Sequence, residues 1–214
     1  PLMKALLIIG VAVAIVVTLL LGYAFLVAKP NLPKISALTD YKPKTPLRVY
    51  TADKVLIGEF GEERRKVIPL NEIPLSMRNA VLAIEDDRFY SHGGVDYVGI
   101  LRAAATNLRG HLSQGASTIT QQVAKNFLVG NERSYDRKIR EALISLRIEG
   151  AYTKEHILEL YLNEIYLGLG NYGVAAAALN YFNKSVNELT LAEAAYLAAL
   201  PKGPNNYHPF QQRE

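Results

Sequence analysis

Residues 77–96 read MRNAVLAIEDDRFYSHGGVD, and the chain changes character inside them. Met77, Val81, Leu82 and Ile84 recur at the three- and four-residue spacing of one helix face. That face stops at Ile84, and Glu85, Asp86, Asp87, Arg88, His92, Gly93 and Gly94 follow at once. A carboxylate at the point where a rigid helix gives way to a loop is well placed for chemistry, because the helix fixes the group and the loop leaves room for a substrate. The same residues would also make a solvated helix end closed by a Gly-Gly turn. Both readings stand on composition alone.

Working outward, helical periodicity persists downstream. Ile139, Leu143 and Leu146 repeat it, as do Ile157, Leu160 and Tyr161, and further helices are predicted over 96–109, 117–127, 172–182 and 190–199. Thr190 and Glu193 have the spacing of a capping box ahead of the last of these. No internal repeat or low-complexity tract interrupts the pattern. The expected body is therefore mainly α, helical from about residue 66 to 205.

Upstream the chain is of another kind. Residues 5–28 carry no charge and are dense in Leu, Val, Ile and Ala; at about 1.5 Å per residue they reach about 36 Å, enough to cross a hydrocarbon core of about 30 Å. A cleaved signal peptide would have a shorter apolar core and a small-residue exit, which Leu26 and Ala28 before Lys29 fit poorly. A retained transmembrane anchor over 1–28 is expected. Lys4 on one side and Lys29 and Lys34 on the other leave its orientation undecided. Residues 29–46, with Pro30, Pro33, Pro43 and Pro46, read as an extended connector without a helix. RVYTADKVLIGEF, 48–60, alternates as a short hairpin, too small to stand alone and expected to lean on another element, which a larger parent protein could supply. Linker and hairpin are assigned to 29–65 and the main domain to 66–214.

The composition agrees with such a unit. The chain has 214 residues, 24 Lys plus Arg against 20 Asp plus Glu, a formal net charge of +4 and 50% hydrophobic residues, which excludes general disorder. With 0 cysteines there is no thiol nucleophile, disulfide framework or Cys zinc site. A charge of +4 over this length does not point to nucleic acid.

Two more clusters bear on chemistry. GASTITQQ, 115–122, followed by Lys125 and Asn126, places Gly115 and a Ser117 cap before a helix whose first amides and Lys125 would suit a phosphate; a capped surface helix has the same appearance. Arg133, Arg137, Arg140 and Glu141 then fall at helical spacing with Lys138 adjacent. Intrahelical ion pairs explain that pattern at about 0.2–0.5 kcal/mol each, and a cationic face opposite an anionic ligand explains it equally. Gly168, Gly170 and Gly173 spell G-x-G-x-x-G, but the preceding ILELYLNEIYL reads as a helix rather than the strand a dinucleotide motif needs, so a helix end and tight turn is the reading. The four histidines, 92, 111, 156 and 208, lack metal-ligand spacing, and no Ser-x-x-Lys acylation site exists.

EDDRFYSHGGVD, GASTITQQVAKN, RKIREA, and ILELYLNEIYLG followed by GVAAAALNYF, in this order, resemble the glycosyltransferase domain of class A penicillin-binding proteins and of monofunctional peptidoglycan glycosyltransferases. The resemblance covers most of residues 70–205. Asn183 departs from the family's usual glycine at a helix end. The hairpin and the closing LPKGPNNYHPF look like the bifunctional members, so the chain reads as the N-terminal part of such a protein.

The resemblance implies a lysozyme-like helical domain with a smaller membrane-proximal lobe, preceded by one transmembrane helix. It implies polymerisation of lipid II: an acceptor 4-hydroxyl attacks the anomeric carbon of the lipid-linked growing strand, with inversion and loss of undecaprenyl pyrophosphate. By motif match Glu85 would be the general base, and Glu141 would assist near the donor or order the cations. Lys125, Arg133 and Arg140 would hold the pyrophosphate. Ser117, Gln121, Gln122 and Asn126 would line the donor side, and Asp86, Arg88 and His92 would support the first motif. No cofactor is implied; a divalent cation could bridge pyrophosphate and carboxylate, although no ligand set calls for one. The implied partners are lipid II, the glycan strand, the membrane and other cell-wall synthesis proteins, and the implied place is the outer face of the bacterial cytoplasmic membrane. Leu108, Leu112, Phe127 and Leu128 would either dip into lipid or serve the core. A lysozyme-like hydrolase and a tethered glycan-binding scaffold are the competing readings.

Overall fold

The apolar N-terminal run folds as α1 (Leu2–Tyr23), which continues through a π-helical turn (Ala24–Ala28) and a 3-10 turn (Lys29–Asn31) in a computed structural model that describes residues 2–39, 47–61, 63–108, 117–130, 134–204 and 206–207. Leu7–Asn31, with mean hydropathy 2.7, is long and apolar enough to cross a membrane. Side chains along it, Leu7, Ile9 and Leu19 among them, are exposed, as a lipid-facing surface requires. The connector is not wholly extended: α2 (Ser36–Thr39) interrupts it, because Leu38 turns into the core and is buried there. β1 (Leu47–Tyr50) and β2 (Leu56–Phe60) form the expected antiparallel hairpin, with Leu47 opposite Phe60 and a register shift between Val49 and Tyr50.

β3 (Arg64–Arg65) then runs parallel to a strand more than a hundred residues on, which the sequence did not disclose. A 3-10 turn at Leu70–Glu72 leads into α3 (Leu75–Glu85), followed by α4 (Tyr97–Leu108), α5 (Ile119–Ala124), α6 (Tyr135–Ala151), α7 (Lys154–Glu164), β4 (Asn171–Tyr172), α8 (Val174–Phe182) and α9 (Leu191–Ala199). α5 packs against both α6 and α7, and α3 against α9. Val123 from α5, Ile144 and Ile148 from α6, and Leu158 and Leu162 from α7 are buried in one apolar core with Met77 of α3. This is a mainly α fold carrying one apolar N-terminal helix.

Two glycines fix close approaches. Gly94 has φ +96°, and a Cβ there would lie 2.8 Å from the Ser145 carbonyl oxygen of α6. Gly173, at φ +82° before α8, would place a Cβ 2.6 Å from the Asn163 carbonyl oxygen at the end of α7. The glycine-rich stretch is thus a tight turn, with β4 inside it. Asn183, the departure from the family pattern, closes α8 in the left-handed region at φ 53°, a conformation that asparagine tolerates. The Thr190 and Glu193 capping box forms as read.

Phe127 and Leu128 are half-buried against the core, while Leu112 and the Leu108 side chain lie outside the description. The apolar surface is elsewhere. α4 buries Gly99 and Ala103 and exposes Tyr97, Val98 and Leu101.

Candidate active site

Glu85 is the last residue of α3, and it lines a cleft of about 600 Å³. The other walls come from Asp86 and Asp87, from Asp96, Gly99, Arg102 and Ala103 at α4, from Ser117, Thr118 and Gln122 at α5, and from Pro201 and Lys202. Burial pushes the Glu85 carboxyl above its ordinary value, a hydrogen bond from Gln122 opposes the rise, and the charge of Asp86 adds to it. That bond is short, with Gln122 Nε2 donating to Glu85 Oε2 at 2.6 Å. The opposite carboxamide oxygen of Gln122 lies 3.4 Å from the hydroxyl of Tyr161, which is buried in α7.

Asp86 faces away from solvent and serves as a junction. Its Oδ2 accepts the Ile119 N–H at the start of α5 (2.9 Å), and its Oδ1 accepts from His92 Nε2 (2.9 Å). The Gly94 N–H donates to His92 Nδ1 at 3.2 Å, so the proton of this imidazole sits on Nε2. A buried carboxylate therefore joins the end of one helix, the start of the next and the loop between them. Arg88 is 3.8 Å from Asp96, and Arg102 is 3.4 Å from Asp87.

The cap of α5 is corrected by one residue. Thr118, not Ser117, forms the capping box, accepting the Gln121 N–H and donating to the Gly94 carbonyl at 2.6 Å, while the Gln121 side chain returns to the Thr118 N–H. Two adjacent hydroxyls satisfy the same propensity, and the Gly94 carbonyl selects between them. Gln121 is spent on this box and buried, so it does not line the cleft. Ser117 is left on the wall, where its Oγ accepts from Lys138 Nζ at 3.0 Å.

The cationic helix is arranged differently from the expectation. Glu141 is fully buried, with Arg137 on one oxygen and Lys138 Nζ 2.7 Å from the other, so it orders two cations and does not reach the cleft. Arg140 does not line the cleft either. Its Nε lies 2.7 Å from Asp136, whose other oxygen accepts from the hydroxyl of Tyr23 at the end of α1. Lys125 caps α5 and its side chain has no ion-pair partner among the described residues; Asn126 beside it is exposed. Arg133 lies outside the described residues. Lys138, read from the sequence only as part of the cationic cluster, stands beside the cleft at Ser117, and Arg102 and Lys202 line it although sequence reasoning passed over both. Arg102 was hidden in an apolar helix, and Lys202 follows a proline with no periodic signal. Among the described residues no three His, Asp or Glu side chains converge to hold a metal ion.

The described residues thus combine a mainly helical domain on an apolar N-terminal helix, a largely desolvated glutamate in a cleft, and cations at its edge. Residues 53–214 match the family model described as Transglycosylase, and the chain belongs to that family. Its motifs are those of the peptidoglycan glycosyltransferase domain of class A penicillin-binding proteins, as the relatives bear out. Penicillin-binding protein 1A of Neisseria flavescens is 52% identical over 196 residues, covering 91% of this chain and 25% of that protein. Penicillin-binding protein 1A of Rickettsia felis is 53% identical over 183 residues, covering 84% and 23%. The 2.6 Å crystal structure of penicillin-binding protein 1A from Haemophilus influenzae shares 32% identity across 81% of this chain and 16% of that one, with a TM-score of 0.42. The chain spans about a quarter of the length of the curated relatives it matches.

Proposed function

We propose that this domain polymerises lipid II into β-1,4-linked glycan strands, with inversion and release of undecaprenyl pyrophosphate, on the outer face of the bacterial cytoplasmic membrane. The observation that carries the reading is Glu85: a carboxylate at a rigid helix end, desolvated, open to the cleft and held by one short donor bond. Glu85 takes the proton of the acceptor 4-hydroxyl as the oxygen attacks the anomeric carbon, a contribution of about 100- to 10,000-fold. The C–O bond to the pyrophosphate breaks as the glycosidic bond forms on the opposite face. The leaving group departs with its charge already developed, so cations rather than an acid assist it.

Lys125, whose side chain is uncommitted among the described residues, and Arg133 supply that charge, Lys138 joins them at the Ser117 edge of the cleft, and Arg140, paired with Asp136, contributes its charge from outside the cleft. Glu141 acts by holding Arg137 and Lys138. Asp86 and His92 keep the first motif rigid, and Gln122 acts on Glu85 rather than on the donor. Glu85→Gln is expected to abolish polymer formation from lipid II while lipid II binding persists; near-parental turnover in that variant removes the general-base role.

One observation favours a second reading. A glutamate whose carboxyl is raised by burial also suits the general acid of a lysozyme-like hydrolase. Lipid II supplied alone separates the two, since synthesis of strands supports transfer, and cleavage of preformed strands without synthesis supports hydrolysis.

A further inference from the structure

Gln122 presents a carboxamide between two groups with opposite needs. Glu85 Oε2, 2.6 Å from Nε2, needs a donor, and the Tyr161 hydroxyl, 3.4 Å from Oε1, needs an acceptor. A carboxamide turned by half a revolution about its last bond would exchange the two ends and set its carbonyl oxygen against the carboxylate. We propose that Tyr161 is a positioning residue for Glu85: by donating to Gln122 Oε1 it fixes the amide so that the NH₂ group, and never the carbonyl, faces the carboxylate.

The surroundings support this. Tyr161 is 1% exposed, its ring belongs to the core shared by α5 and α7, and Gln122 is the partner found for its hydroxyl among the described residues. A buried hydroxyl without an acceptor is costly, so the ring position dictates which end of the amide it meets. Burial, with the charges of Glu85 and Asp86, holds the phenol well above its ordinary value, and the hydroxyl remains a donor throughout the working range. Gln122 in turn opposes the rise that burial imposes on Glu85. The relay gives ILELYLNEIYLG a part in the chemistry although Tyr161 does not touch the cleft.

The proposal rests on Glu85 being the base, and the test keeps the two apart. The full membrane-anchored chain is assayed for polymerisation of lipid II between pH 5 and 9 as Tyr161→Phe, Gln122→Ala, the double variant and Glu85→Gln. Tyr161→Phe is expected to move the acid limb of the profile to higher pH, lowering the rate on the acid side by about 5-fold, with the alkaline plateau within about 2-fold of the parent. Gln122→Ala moves the limb in the same direction, and the double variant moves it no further, because Tyr161 acts only through Gln122. Tyr161→3-fluorotyrosine keeps the ring and strengthens the donor; it is expected to move the limb to lower pH, and it stands in should Tyr161→Phe fail to fold. An unmoved limb, an equal loss at every pH, or additive shifts in the double variant overturns the positioning role. Should Glu85→Gln be inactive while the Tyr161 variants leave the limb in place, only the relay fails; should Glu85→Gln remain active, the base assignment fails and the relay with it.

Discussion

At the scale of single residues, the general-base role proposed for Glu85 would set activity against stability. Its carboxyl is raised by burial, then lowered by Gln122 and raised again by Asp86, so ionising it in the folded chain costs more than ionising it in the unfolded one. The sign follows from linkage. With the folded value above the unfolded one, the cost is absent where both states are protonated, builds as pH rises past the ordinary glutamate value, and is complete above the folded value. Catalysis by a base needs the ionised form. The polymerisation rate is therefore expected to fall on acidification at a higher pH than an ordinary carboxylate would dictate, measured as the acid limb of kcat/KM. Glu85→Gln should be inactive yet have a melting temperature at pH 7 equal to or above the parent's, because it removes a buried charge and keeps an acceptor for Gln122. A melting temperature several degrees lower would show that the ionised group stabilises the fold.

At the scale of elements, the site is made by how α3, α5 and α6 are joined. Asp86 receives the first amide of α5, Thr118 caps that helix and reaches the Gly94 carbonyl, and Gly94 itself lies against α6. Thr118→Ala is expected to destabilise by about 1 kcal/mol or somewhat more, whereas Ser117→Ala should stay within about 0.5 kcal/mol. Chemical denaturation of the two variants checks this, and equal losses would contradict the assignment of the cap. Gly94→Ala should lower stability by about 1–3 kcal/mol, since a side chain there is strained by φ and meets the α6 backbone. The helices themselves were legible: those read at 96–109, 172–182 and 190–199 appear within two residues at each end. At 117–127 the α-helix is short and continues as a π-helical turn, Lys125–Val129. The joints were not legible, because each depends on a residue far away in the chain.

At the scale of the whole molecule, the apolar helix is more than a tether. It runs unbroken into turns that pack on α6, where Ala28 is fully buried, the Tyr23 hydroxyl meets Asp136 at 2.6 Å and Arg147 reaches the Lys29 carbonyl at 3.4 Å. α6 also carries Arg137, Lys138, Arg140 and Glu141. The cationic helix is thereby held at the end of the segment that would lie in lipid, where the substrate proposed above would present its pyrophosphate. Removing residues 1–23 is expected to leave the helical domain folded, since α1 is exposed along its length, and to slow polymerisation of bilayer-embedded lipid II by about 100-fold through lost local concentration. Circular dichroism and an assay on lipid II vesicles check the two halves of that statement; undiminished activity on vesicles would count against the anchor's role.

What the sequence determined by itself was whatever depends on near neighbours. Apolar periodicity, the uncharged run at 5–28, the alternating hairpin, the Thr190 capping box and the motif around Glu85 all follow from residues a few positions apart. Tertiary structure decided the rest. It chose Thr118 over Ser117, turned Arg140 toward Asp136 and Tyr23, buried Glu141 between two cations, and set Tyr161 behind Gln122. A side chain's partner depends on which helices cross and where, and local pattern carries no record of that until the core has formed.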